Sequence, residues 1–175
     1  RLFYQPLHEV GGDLFICHSY SPSEWVLFVG DVAGHDIKSG YVSTYFQGMF
    51  RGCVENGSHV QDFIDLFNRT LRRQSDFQSP DGDLISLSVS AFYINHDNPD
   101  IAHWNYGFTP CCVVRSDGLL EEGHYGQFPL GWAPGIDTAP SHIPVADRFR
   151  FYAFTDGLID LAADLDLHPF SLLYR

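Results

Sequence analysis

Ten basic side chains against 22 acidic ones leave this 175-residue chain with a net charge of −12, and with too little Lys and Arg to build the basic surface that nucleic acid or an anionic membrane requires. A phosphorylated substrate is repelled at long range for the same reason, so any phosphate chemistry here calls for a metal to bring positive charge. No run of about 18 apolar residues is present and no signal peptide precedes the first strand-like segment, so the domain itself is not expected to cross a membrane. The four cysteines, Cys17, Cys53, Cys111 and Cys112, lack CxxC spacing, and the adjacent Cys111 and Cys112 fall on opposite faces of a strand. Reduced thiols and a cytoplasmic location fit that pattern. Internal repeats and low-complexity tracts are missing as well. A starting Met is also missing: the chain opens at Arg1 within a strand-like segment and reads as a piece of a longer protein.

What is present is apolar and aromatic. With 45% apolar residues, fifteen Phe and nine Tyr, the chain has material for one core, and residues 1–175 are expected to form a single domain rich in sheet. A hairpin with strands 12–20 and 24–32 is predicted around Ser21-Pro22-Ser23, pairing Tyr20 with Glu24, Cys17 with Leu27, and Phe15 with Val29. Helical spacing follows in Ile37, Tyr41, Tyr45, Phe46, Met49, Phe50 and Cys53, with Asp36 as N-cap. A second helix, about 59–74, places Val60, Phe63, Ile64, Phe67 and Leu71 on one stripe. The segment 75–83 is turn chemistry. Beyond it come strand-like runs at LISLSVSAFYI, IAHWNYGF, PCCVVRSDG with an Asp117-Gly118 turn, LLEEGHY and RFRFYAFTDG; LIDLAADLDL has the pattern of a further helix. Strands, two adjacent helices and more strands give the α+β class.

Three aspartates stand beside glycine at predicted strand ends: Asp13 in EVGGDLF, Asp31 in FVGDVAGH and Asp156 in FTDG. The hairpin register sets Asp13 opposite Asp31, on the face that carries Phe15, Cys17, Leu27 and Val29. Two carboxylates about 5 Å apart at an effective dielectric of about 20 repel by about 3 kcal/mol, large against the stability of a small domain. A shared proton, a basic partner or a hard divalent metal would offset this, as would solvation at turn ends. Residues 9–36 contain neither Arg nor Lys, which ranks metal first. His35 has the chemistry of a general acid, or it serves only to order the Asp31 loop.

The ordered set EVGGDLF, FVGDVAGHD, NYGFTP, GQFPLGW and YAFTDGLID resembles the SpoIIE/RsbU-like branch of the PPM metal-dependent serine/threonine phosphatases, over residues 3 to 162. The resemblance implies a PPM-type sandwich of two antiparallel β-sheets flanked by α-helices, with a binuclear Mn or Mg centre at one end. It makes Asp13, Asp31 and Asp156 ligands, with the Val32 backbone carbonyl as a further candidate. The implied reaction is hydrolysis of a phosphoserine or phosphothreonine by metal-activated water, without a phosphoenzyme. Implied partners are a phosphorylated STAS-type anti-sigma-factor antagonist and an N-terminal receiver or sensor module.

The chain also departs from that branch. The closing Asp-Asp-(hydrophobic)-Thr strand is not among its residues, Gly34-His35-Asp36 stands for Gly-His-Gly, and Gly107-Phe108 stands for Gly-His. These departures are what a second reading rests on, a degenerate phosphatase-like module that binds a regulatory partner.

Overall fold

A computed structural model describes residues 11–34, 37–73, 85–98, 100–108, 111–115, 120–122, 126–145 and 149–167. His35, Asp36, the 75–83 segment and the Asp117-Gly118 turn lie outside the described residues. A five-stranded antiparallel sheet is built from β1 (Leu14–Ser21), β2 (Glu24–Val32), β3 (Leu87–Asn95), β4 (Asp100–Tyr106) and β7 (Ser141–Pro144), in that spatial order. A second, three-stranded sheet joins β5 (Cys112–Arg115) to β6 (Leu120–Glu122) on one side and β8 (Phe149–Tyr152) on the other. Helices α1 (Ile37–Glu55) and α2 (Val60–Arg73) follow β2, and α3 (Asp156–Asp164) follows β8. This is the α+β sandwich expected from the order of elements.

Strict alternation along the strands divides the large sheet between two cores. Val26, Phe28 and Val32 of β2, with Leu87, Val89 and Ala91 of β3, face α1 and α2. Leu27, Phe92, Ile94 and Ile101 point the other way and pack with Cys111, Val113, Phe149 and Phe151 of the smaller sheet's side. Cys111 and Cys112 enter different clusters, as alternation requires.

The helix side is dominated by rings. Phe46 meets Phe63 and Phe67 edge-on at centroid distances of 4.9 and 4.7 Å, and Phe28 meets Phe50 at 5.1 Å. Such pairs add about 0.5–1.5 kcal/mol each beyond area burial. The stripe of α2 is the expected one: Val60, Phe63, Ile64, Phe67 and Leu71 are all buried. On α1 the buried line is different. Ser39, Val42, Ser43, Phe46 and Phe50 face inward, while Ile37 and Tyr41 are 80% and 58% exposed. Two serines replace large side chains on the inner face, and Ser43 Oγ bonds back to the Gly40 carbonyl at 3.0 Å, so no polar group is left wanting there.

The hairpin register is Leu14 with Gly30, Phe15 with Val29 and Cys17 with Leu27. Only its tip differs from expectation. Glu24 pairs with Ser21 rather than Tyr20, leaving a two-residue Pro22-Ser23 turn, and the odd residue is absorbed by a bulge between Ser19 and Ser21. Ser21 Oγ, which accepts from the Ser23 N–H at 3.3 Å and donates to Glu24 at 3.2 Å, holds that tip.

Candidate active site

Pairing of β1 with β2 continues past the end of the ladder, since the Val32 N–H donates to the Gly12 carbonyl at 3.2 Å. Asp13 therefore lies beside Asp31 at the same end of the sheet, as the sequence register requires. A methyl group on Gly12 would run into the Val32 carbonyl oxygen and come within 2.8 Å of Asp31 Oδ1. Glycine at 12 thus lets a backbone carbonyl and a carboxylate stand against the chain, a close approach that a Cβ would fill.

Asp156 arrives by a route the sequence did not suggest. It is the first residue of α3, four residues beyond the end of β8, and not the last residue of a strand. An Asp-Gly pair signals a turn after a strand and a helix start alike, and the helix-forming LIDLAAD that follows decides between them. Thr155 holds the N-cap position with φ −80 and ψ 173, yet its side chain makes no capping bond. It hydrogen-bonds Asp13 instead. Thr155 is the site residue that sequence reasoning passed over; its one signal was its place immediately before Asp156.

The charges gathered here bear on Asp31 and Asp13. Asp31 is pushed up to about 6, chiefly by burial, then by the charges of Asp13 and Asp156, against a hydrogen bond from the Val32 backbone. Asp13 is raised by burial and by Asp156, and lowered by its bond to Thr155. Among the described residues no guanidinium or ammonium group contributes to either shift, so repulsion is not relieved by a protein cation. The positive end of the α3 dipole begins beside Asp13 and Asp156 and offsets part of the charge.

Carboxylate oxygens plus a backbone carbonyl form a hard donor set suited to Mg(II) or Mn(II), and the unrelieved negative charge is what such an ion would neutralise. In donor type and in charge the residues fit a divalent cation. Among the described residues, however, no three His, Cys, Asp or Glu side chains are gathered closely enough to cage one ion. The rim is open: Asp156 is exposed, and concavities of about 250 and 220 Å³ lie elsewhere, beside His18 and Arg51 and beside Trp104 and Gln127. Phe108, which replaces a histidine of the resembled branch, is buried and donates its N–H to Asn105 Oδ1 at 2.9 Å.

Comparison with known proteins bears on this arrangement. The family model described as Stage II sporulation protein E (SpoIIE) matches residues 21–172. Phosphoserine phosphatase RsbP of Bacillus subtilis (strain 168) is 22% identical over 171 residues, covering 98% of this chain and 41% of the relative. The chain thus spans about two-fifths of that curated relative. Among solved structures, the RsbU and RsbW domains of a Mycobacterium tuberculosis protein superpose with a TM-score of 0.73 at 20% identity, over 89% of this chain and 42% of the other. RsbX in complex with magnesium superposes with a TM-score of 0.68 at 15% identity, over 86% of this chain and 68% of the other.

Proposed function

Because the chain belongs to the SpoIIE family, we propose that it is a divalent-metal-dependent phosphatase domain of bacterial signalling that hydrolyses phosphoserine or phosphothreonine on a protein. The observation that carries this reading is the gathering of three acids from separate elements at one rim: the charges of Asp13 and Asp156 bear on Asp31, and that of Asp156 on Asp13, with no cationic partner among the described residues. RsbP is named a phosphoserine phosphatase and RsbX was solved with magnesium, which agrees with it.

In the proposed site Asp13, Asp31, Asp156 and the Val32 carbonyl hold two Mn or Mg ions. When bound, these would supply Lewis-acid neutralisation of the phosphoryl oxygens and activation of a water at neutral pH. Asp31, held at about 6, is ionised at pH 7 and ready to act as a donor. The Thr155 hydroxyl fixes the Asp13 carboxylate, and the bare backbone of Gly12 keeps Val32 and Asp31 within reach of it. His35, shortly after Asp31 in sequence, is the proposed proton donor to the leaving serine or threonine oxygen. A STAS-type anti-sigma-factor antagonist is the proposed substrate, and residues 1–175 are proposed to be one domain regulated by a receiver or sensor module.

Hydrolysis of para-nitrophenyl phosphate with Mn or Mg tests the reading. Activity that EDTA abolishes and that Asp31→Asn lowers by at least about a hundredfold, with the circular dichroism spectrum unchanged, is expected. Full activity in the variant would remove Asp31 from the site. One observation favours a second reading, the degenerate binding module: no close three-residue donor cage exists among the described residues. No metal-dependent turnover, with the fold intact, is its outcome.

A further inference from the structure

Residues 126–140, which lead into β7, are strapped down far more firmly than an idle connection needs. Leu130 exchanges two backbone hydrogen bonds with Leu87, at 2.9 and 3.1 Å. Gln127 and Asp137 bond each other twice across the loop, both at 2.7 Å. Asn68, fully buried on α2, accepts from the Gly131 N–H at 2.8 Å and donates to the Ala133 carbonyl at 3.1 Å. The Arg72 guanidinium donates to the Trp132 carbonyl at 2.8 Å, and Trp104 Nε1 to the Thr138 carbonyl at 2.9 Å. Gly131, at φ 96, makes a turn that an L side chain would strain.

What this framework displays is an aromatic pair. Phe128 and Trp132 stand 65% and 56% exposed and stack on each other, with centroids 6.1 Å apart and planes 19° from parallel. Neither serves the core; buried Leu130 between them does that. Because the backbone that carries them is already held by these bonds, less of the loop has to be ordered when an apolar group binds.

Position identifies the occupant. Leu87 pairs with Val32 on one side and bridges to Leu130 on the other, so Gly12, Val32, Leu87 and Leu130 form one row along the end of the sheet. Leu130 is two strand spacings, about 10 Å, from Val32. By that spacing the backbone at Phe128 and Trp132, each two residues from Leu130, stands on the order of 10–15 Å from that of Asp31, a span that an extended peptide covers in about three to five residues. The chain's charge of −12 gives the phosphate itself no long-range attraction, so burial of apolar surface beside the site adds affinity that the overall field does not supply.

Resting on the phosphatase reading, we propose that Phe128 and Trp132 form a docking platform for an apolar side chain of the phosphoprotein substrate, three to five residues from the phosphorylated serine or threonine.

The test uses the 175-residue chain with Mn, para-nitrophenyl phosphate, and phosphoserine decapeptides that carry Leu or Ser four positions to either side of the phosphoserine. Wild type should prefer a Leu peptide at least fivefold in kcat/KM through KM. The Phe128→Ala/Trp132→Ala double variant should lose that preference and keep aryl phosphate hydrolysis, while Trp132→Phe should restore part of it. Indifference of the wild type to Leu, or an equal loss on aryl phosphate and peptide, overturns the platform. Absence of aryl phosphate hydrolysis would instead count against the phosphatase reading. Peptide affinity by fluorescence anisotropy then carries the same comparison without turnover, and equal affinity of wild type and double variant overturns the platform. Sedimentation that shows a dimer for wild type and a monomer for the double variant assigns the aromatic pair to self-association and also overturns it.

Discussion

Phe28 and Asp31 lie three residues apart on β2 and are treated in opposite ways. Phe28 is completely buried among Phe46, Phe50 and Phe63, each ring edge-on to it, so that part of the strand contributes stability. Asp31 is half-buried beside two other acids, and its environment opposes its own charge. The same strand therefore supports a rigid aromatic core on one face and, at its end, a rim held away from its electrostatic optimum. The difference teaches that the core supplies the stability against which the unfavourable rim is set, a division expected where a site must wait for a ligand of opposite charge.

That contrast can be broken from the core side. Phe46→Ala removes the ring that touches Phe28, Phe63 and Phe67, and should cost about 3–5 kcal/mol, read as a lower denaturation midpoint in urea. Any loss of hydrolysis in this variant should follow the fraction unfolded. A rim change should behave differently. Gly12→Ala drives a methyl group against the Val32 carbonyl and Asp31, which should lower stability by about 1–3 kcal/mol and metal-dependent hydrolysis by more than about tenfold, even where the chain is fully folded. Equal activity per folded molecule would mean that the close approach at Gly12 has no part in the chemistry.

The smallest expected effect concerns pH. The folded Asp31 sits at about 6, above its unfolded value near 3.9, so its contribution to stability is full below about pH 4 and is lost as pH rises through about 6. Screening by solvent at this partly open rim leaves about 1 kcal/mol of the dependence. In metal-free protein the difference in Tm between wild type and Asp31→Asn should open between pH 4 and 6, with the variant the more stable above pH 6. A difference that is constant across this range would contradict the assigned environment.

Much of this was legible in the sequence because short-range rules decide it. The hairpin register from Leu14 to Gly30 follows from its turn, and α2 follows from a stripe of large apolar residues. The tip was misplaced by one residue because the Ser19/Ser21 bulge depends on side-chain bonds that spacing does not reveal. On α1 the expected stripe gave weight to Ile37 and Tyr41, whereas tertiary packing chose the line through Ser39 and Ser43, where small residues allow close approach. β7, the short SHIP segment paired with β4, carries too little alternation to be seen. In the site, Asp13 and Asp31 were paired by register alone. Asp156 was recognised through its motif but given the wrong element, and Thr155 was missed because its bond to Asp13 joins the N-cap of α3 to the residue before β1, far apart in sequence.

The central claim is that Asp13, Asp31 and Asp156 share a rim that takes divalent cation. Calorimetric titration of Mn(II) into the metal-free chain at pH 7, beside Asp31→Asn, tests it most directly. Binding by the wild type, weakened at least about tenfold in the variant, is the predicted result; superimposable isotherms for the two proteins would contradict it.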